Sequence, residues 1–294
     1  MDLEQARSNL SNSNIDTLIA ALRVLAKGGK LSDLQNILTL VKNPNISVHL
    51  TAVQTASSLI KENLITYFHE IEPVVRDKLG ILLQSLDPSV VNEIGNDLYS
   101  ENESRRLIAV QVLGLLKKNP QLREILAKLI HNRDVKIRAT AVNLLGKVIG
   151  PNDHDLILSL LNDKDLRVRA NTIEALESLN NKRLIPILLR FRKDSNNRIR
   201  GNVLKALFTL GYTDIISDLL EMLKNTNPLT QASAIWVVSK INISNPIIED
   251  AVAYCLLSDH EVVITNAKKT LSTFKSPRTA GYIKYLELAN PSSS

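Results

Sequence analysis

Asp165-Leu-Arg-Val-Arg169-Ala-Asn-Thr-Ile-Glu-Ala-Leu176 returns 31 residues later as Asn196-Asn-Arg-Ile-Arg200-Gly-Asn-Val-Leu-Lys-Ala-Leu207. The same interval upstream finds Asp134-Val-Lys-Ile-Arg138-Ala-Thr-Ala-Val-Asn-Leu-Leu145. Self-similarity at a period of this size marks a stack of supersecondary units, each unable to bury its apolar face alone. Within the phrase, Val168, Thr172, Ala175, Leu176 and Leu179 fall at i, i+4, i+7, i+8 and i+11, which is one face of an α-helix.

The same template fits Ile137/Ala141/Leu144/Leu145/Val148, Ile199/Val203/Ala206/Leu207/Leu210, Thr230/Ala234/Val237/Val238/Ile241 and Val263/Ala267/Thr270/Leu271/Phe274. Upstream it fits Val48/Ala52/Thr55/Ala56/Leu59 and Val75/Leu79/Leu82/Leu83/Leu86. It survives with a degraded first position at Arg105/Ala109/Val112/Leu113/Leu116 and Asn14/Leu18/Ala21/Leu22/Leu25. The spacing leaves room for one more helix and two tight turns per unit. These partner helices are expected near 31–42, 64–71, 88–99, 121–131, 153–161, 182–193, 213–224, 246–257 and 278–289, with a short one at 2–10. Turn residues such as Asn43-Pro44, Asp87-Pro88, Asn119-Pro120, Gly150-Pro151, Asn227-Pro228, Asn245-Pro246 and Ser276-Pro277 fall between them. Pro186 stands one turn inside its helix, close enough to the start to be tolerated, a kink being the alternative.

The expected fold is all-α, an α-solenoid of about nine antiparallel helix pairs in one domain over 1–294. Residues 1–30 would cap one end, 31–276 would hold the repeats, and 277–290 would form a closing helix. With 44% apolar but only 4% aromatic residues, the core is built from Leu, Ile, Val and Ala. One cysteine, Cys255, excludes an internal disulfide framework and any multi-cysteine metal site. No apolar run approaches the ~20 residues of a membrane span. Met1-Asp-Leu-Glu-Gln lacks the basic-then-apolar pattern of a signal peptide. A soluble, reducing, cytoplasmic setting is expected.

A helix, a turn bearing Asp, and a second helix opening with apolar-Arg and running on to Ala-Leu together resemble HEAT repeats, specifically the short ~31-residue kind of phycobilin-lyase-like HEAT proteins. The resemblance covers nearly the whole chain and is closest over 120–245. It implies a right-handed superhelix with the second helix of each pair lining the concave surface. It also implies a structural ladder between neighbouring units, here from Asp134, Asp165 and Asp194 with Arg138, Arg169 and Arg200, ending where Gln231 replaces the arginine.

Catalysis finds no support. Two His-Glu pairs, His69-Glu70 and His260-Glu261, resemble the metal-binding pairs of the HEAT-repeat enzyme deoxyhypusine hydroxylase. That enzyme uses four pairs at matching repeat positions, whereas these two stand 191 residues apart, one expected on a partner helix and the other in a turn. Gly-rich phosphate loops, Gly-x-Ser-x-Gly and His-Glu-x-x-His are all missing from the sequence. HEAT-like DNA glycosylases use Trp, Asp and Arg on the concave face, of which Trp236 is a single partial echo. No metal or cofactor is expected.

Charge and aromatic placement say more. Lys182, Arg183, Arg190, Arg192, Lys193, Arg198, Arg200 and Lys205 stand against Asp194 alone, whereas the whole chain carries a net charge of only +6. Basicity one repeat wide suits a docking spot for an anionic partner better than a long nucleic-acid track. Six residues beyond the first core position, a side chain lies about 140° from the apolar stripe. The series is Ala20, Gln54, Ile81, Gln111, Asn143, Glu174, Lys205, Trp236 and Lys269. Trp236 and Phe208 beside Lys205, Lys240 and Lys269 have the make-up of a protein-binding hot spot.

The leading expectation is therefore a non-enzymatic scaffold or adaptor that binds a protein partner, of acidic character, on the concave surface. One alternative is nucleic-acid binding through the 182–205 cluster with Trp236 and Phe208 stacking on bases. Another is a phycobilin-lyase-like enzyme or chaperone subunit.

Overall fold

The computed structural model describes residues 1–116, 121–243, 245–274, 276, 278–279 and 281–282. The described residues are helices joined by turns and divide into two compact units, Met1–Leu144 and Leu145–Ser294. Each of the nine template registers is helical: Ile15–Gly28, Ile46–Tyr67, Pro73–Leu86, Glu103–Leu113, Val135–Leu145, Leu166–Ser178, Asn197–Thr209, Pro228–Ile241 and Glu261–Leu271.

Six of these starts share one device. In Asn12-Ser-Asn14, Asn43-Pro-Asn45, Asn132-Arg-Asp134, Asp163-Lys-Asp165, Asp194-Ser-Asn196 and Asn225-Thr-Asn227, the first side chain accepts the N–H of the third residue at 2.8–2.9 Å. The third side chain then accepts an N–H of the helix's first turn at 2.8–3.1 Å. Two amide donors that the turn and helix start would otherwise leave unpaired are thereby satisfied. Helix ends repeat as well. Asn180, Gly211 and Asn242 all adopt positive φ, at 50°, 94° and 47°, and they lie 31 residues apart. This is the left-handed residue that closes a helix, and Tyr212 N–H completes the closure by donating to Leu207 O.

In the first unit Leu3–Ser8 packs on Ile15–Gly28, which packs on Ile46–Tyr67. That helix in turn carries Leu34–Leu40 and meets both Pro73–Leu86 and Glu103–Leu113, the latter backed by Val90–Asp97. Leu18, Ala21, Leu22, Leu25, Val48, Ala52, Ala56, Leu59 and Leu113 are buried as the template requires.

In the second unit Leu166–Ser178, Asn197–Thr209, Pro228–Ile241 and Glu261–Leu271 stack in series, with Ile216–Leu223 and Pro246–Tyr254 behind them. The five template positions of Leu166–Ser178 and of Asn197–Thr209, extended to Leu179 and Leu210, are all buried. Burying one Leu or Ile contributes roughly 1.5–3 kcal/mol, so these stripes are what holds the layers together.

Two expectations need correction, and the structure shows how Pro186 is tolerated. Residues 64–67 do not begin a separate partner helix: Ile46–Tyr67 runs unbroken for 22 residues. No proline or glycine interrupts it, and Leu64 and Ile65 remain buried, so the chain turns only at Phe68–Glu72, ahead of Pro73. His69 consequently lies in that turn and not on a partner helix. Pro186 is the second residue of Ile185–Leu189, preceded by the 3-10 turn Lys182–Leu184. A missing N–H costs nothing there, and no kink is required. The template also fits poorly at Pro73–Leu86, where Val75 is exposed and Glu72 makes no side-chain cap. Asn119-Pro120, Pro277 and most of the closing helix at 278–289 lie outside the described residues.

Candidate functional site

Helix Pro228–Ile241 buries Ala234, Ile235, Val237 and Val238 completely. By helical geometry Trp236 must turn away from that stripe, and it is half-buried. Its ring separates two open clefts, both also lined by Glu174. One, of about 390 Å³, is walled by Arg198, Gly201, Leu229, Ala232 and Ser233. The other, of about 590 Å³, is walled by Glu177, Ser178, Lys205, Thr209 and Lys240.

The ring is held in place from one side. Lys205 Nζ lies 5.9 Å from the ring centroid and 2.6 Å from Glu177 Oε2. The other Glu177 oxygen accepts the Thr209 hydroxyl at 2.9 Å. A lysine pinned between a carboxylate and a ring face loses most of its freedom, and so does the ring. Such a contact is worth about 0.5–1 kcal/mol when exposed and more when desolvated. Glu174 is also partly engaged, since its Oε1 accepts from Asn202 Nδ2 at 2.8 Å.

Of the five residues expected to meet a partner, Lys205, Trp236 and Lys240 come together. Phe208 is half-buried and lines neither cleft, and Lys269 is exposed on Glu261–Leu271, also outside both. The angular series places Glu174 and Lys205 on the Trp236 face. It does not reveal Glu177, Gly201, Leu229 or Ser233. Glu177 carries a usable signal, standing one helical turn beyond Glu174 on the same side.

The basic cluster divides. Asp218, fully buried on Ile216–Leu223, takes Arg192 Nε at 2.7 Å, Lys193 Nζ at 3.0 Å and Arg200 Nη2 at 3.8 Å. Neither Asp218 oxygen receives an N–H at hydrogen-bonding angles, so charge holds the group more than aligned donors do. Glu221 pairs with Lys193 and, at 2.9 Å, with Arg200. Lys193, and after it Arg200, hold the Glu221 carboxyl below its ordinary range. Lys182, Arg183, Arg190 and Arg198 are exposed, with no carboxylate partner among the described residues.

Two of the arginines expected to form a ladder, Arg138 and Arg169, also bond within their own turns. Arg106, Arg138 and Arg169 each donate through Nη1 to the carbonyls six and five residues back, at 2.8–3.4 Å. Arg106 Nη2 also reaches across to the next repeat, 3.8 Å from Asp134 Oδ2. Asp165 caps its own helix and is bridged by Arg167. Asp194 opens its turn, in the place that Asp163 takes one repeat earlier. Arg200 departs from the series to reach Asp218 and Glu221, and Gln231 donates to Leu223 O at 3.2 Å.

Among the described residues, no three of His, Cys, Asp and Glu gather to hold a metal ion. No described helix is long and apolar enough to cross a membrane. Burial pushes the Cys255 thiol up to about 11, so it stays protonated and unreactive near neutral pH.

Repeated helix hairpins stacked in series define a helical-repeat protein. The model of HEAT repeats matches residues 154–239, the stretch that contains both clefts up to Ser239. Residues 154–239 thus carry HEAT repeats. No curated protein sequence matches it. Kap121p bound to Ste12p has a similar fold, at 14% identity and a TM-score of 0.53, covering 98% of this chain and 39% of that one. Kap121p bound to Nup53p is similar at 13% identity and TM-score 0.53, with 98% and 39% covered. Kap121p bound to the extreme C-terminus of the protein phosphatase Cdc14p is similar at 13% and 0.52, with 92% and 37% covered. The chain thus spans about two fifths of the length of Kap121p.

Proposed function

We propose that this chain is a non-enzymatic scaffold whose Trp236 face holds a segment of a partner protein. The observation that carries the reading is that the one tryptophan of the chain is left partly open between two clefts while Lys205 and Glu177 fix its ring. A rigid aromatic anchor costs little entropy to use, and tryptophan is enriched where binding energy concentrates. Kap121p, which has a similar fold, is known bound to Nup53p and to the extreme C-terminus of the protein phosphatase Cdc14p, and this supports a protein-binding use here. The lone, protonated Cys255 suits a reducing compartment, and we place the protein inside the cell.

The test is affinity capture from the cell of origin with wild type, Trp236→Ala and, as a control remote in sequence, Ile81→Ala. Specific proteins should be retained by wild type and by Ile81→Ala and lost from Trp236→Ala. Identical captures from all three would sink the reading.

A second reading draws on the exposed Lys182, Arg183 and Arg190, which would suit an anionic polymer. It requires binding to single-stranded DNA or RNA that falls steeply between two salt concentrations. No binding at low salt removes it.

A further inference from the structure

We propose that the segment received at the Trp236 face is acidic and apolar, with an apolar side chain in the cleft over Gly201 and carboxylates meeting Arg198 and Lys240 on either side of the ring. This rests on the reading of that face as protein-binding.

The apolar half of the proposal comes from Gly201. Some glycines of this chain are forced by close packing: a Cβ on Gly146 would lie 2.5 Å from Ala175 Cβ, and one on Gly114 2.6 Å from Leu144 Cδ2. Gly201 is different. A Cβ there would meet Val237 Cγ2 at 3.5 Å and Ser233 at 3.7 Å, which is ordinary contact. Packing does not demand a glycine in mid-helix, where it is a poor choice. What its missing side chain provides is an open floor to the cleft bounded by Trp236, Ala232 and Leu229. Leu229 is 61% exposed, so this cleft offers apolar surface in need of a cover.

The acidic half comes from subtraction. Lys205 is neutralised by Glu177, and Arg192, Lys193 and Arg200 by Asp218 and Glu221. Arg198 at one cleft and Lys240 at the other have no carboxylate partner among the described residues. The cations left to the face therefore flank the ring on both sides, and carboxylates of the occupant complement them. A phosphate backbone fits less well, because Glu174 lines both clefts and Glu177 the second, and a continuous run of phosphates would have to pass them. A peptide can place single carboxylates at the two cations and neutral chain between.

Phage-displayed random 12-residue peptides selected on the wild-type chain, with counter-selection on Trp236→Ala, test this. Selected peptides should carry Leu, Ile, Val or Phe flanked by Asp or Glu. A synthetic copy should shift the emission of the single tryptophan. Its Kd should rise about tenfold for Arg198→Glu or Lys240→Glu, about 1.4 kcal/mol each, and several-fold for Gly201→Ala with no fall in Tm. Basic or uncharged peptides that still depend on Trp236 would overturn the acidic assignment and leave the face standing. Failure to enrich any peptide, or peptides that bind Trp236→Ala equally well, would overturn the face as well. A dT12 oligonucleotide that binds and displaces the peptide would overturn the protein assignment.

Discussion

Asp218 shows how much rests on single residues here. It is a fully buried carboxylate whose charge is balanced, among the described residues, by Arg192, Lys193 and Arg200 from the preceding repeat. Removing one partner of a buried ion group strands the others, at a cost of about 3–5 kcal/mol. Asp218→Ala should therefore lower stability by about 3 kcal/mol in urea unfolding, and a loss under 1 kcal/mol would show the group to be better hydrated than its burial implies. Gly201→Ala should act in the opposite sense, adding about 0.5–1 kcal/mol because alanine is the better helix former.

Asp33 gives the pH response a sign. The Arg7 guanidinium, at 2.8 Å and 3.1 Å, and the Lys30 N–H hold its carboxyl below the ordinary range. Its contribution is complete above the unfolded value near 4 and is lost as pH falls through the lower folded value. The stability gap between wild type and Asp33→Asn should thus be widest near neutrality and close below about pH 4. A gap that stays constant to pH 2 would contradict it.

At the scale of the element, the Asx-x-Asx turn does more than the arginine phrase to start the six helices that carry it. Asn196 accepts two helix amides, from Arg198 and Ile199. Asn196→Ala should cost about 1 kcal/mol by thermal denaturation. Helix Pro73–Leu86 is the contrasting case, with Val74, Val75 and Ile81 exposed and no side-chain cap at Glu72. Few buried contacts mean a low local opening energy. Amide exchange should accordingly be faster there than in Leu166–Ser178, whose five template positions are buried.

At the scale of the whole molecule, within each of the two units a layer touches chiefly its neighbours, so the stability of a unit is close to a sum of layer and interface contributions. Gly146 tests an interface. Gly146→Val would drive a side chain into Ala175, and overpacking of this kind costs about 1–3 kcal/mol. A melting point equal to wild type would mean that the layers can slide apart without penalty.

What the sequence determined by itself is the helix order, the buried stripe of most template helices, Pro73–Leu86 excepted, and the outward placement of Trp236. These follow from a 3.6-residue period and from turn chemistry, both of which act within one stretch of chain. The turns were equally legible in principle, because Asn180, Gly211 and Asn242 and the paired Asx residues recur with the repeat.

Only the tertiary structure decided which charges remain free. Glu177 meets Lys205 across 28 residues and Asp218 meets Arg192 across 26. Those separations depend on how one layer is offset against the next, which no pattern within a repeat specifies. A count along the chain therefore finds eight cations and one acid between 182 and 205. Stacking brings Glu177, Asp218 and Glu221 from neighbouring repeats to half of those cations, and leaves Arg198 and Lys240 beside the tryptophan.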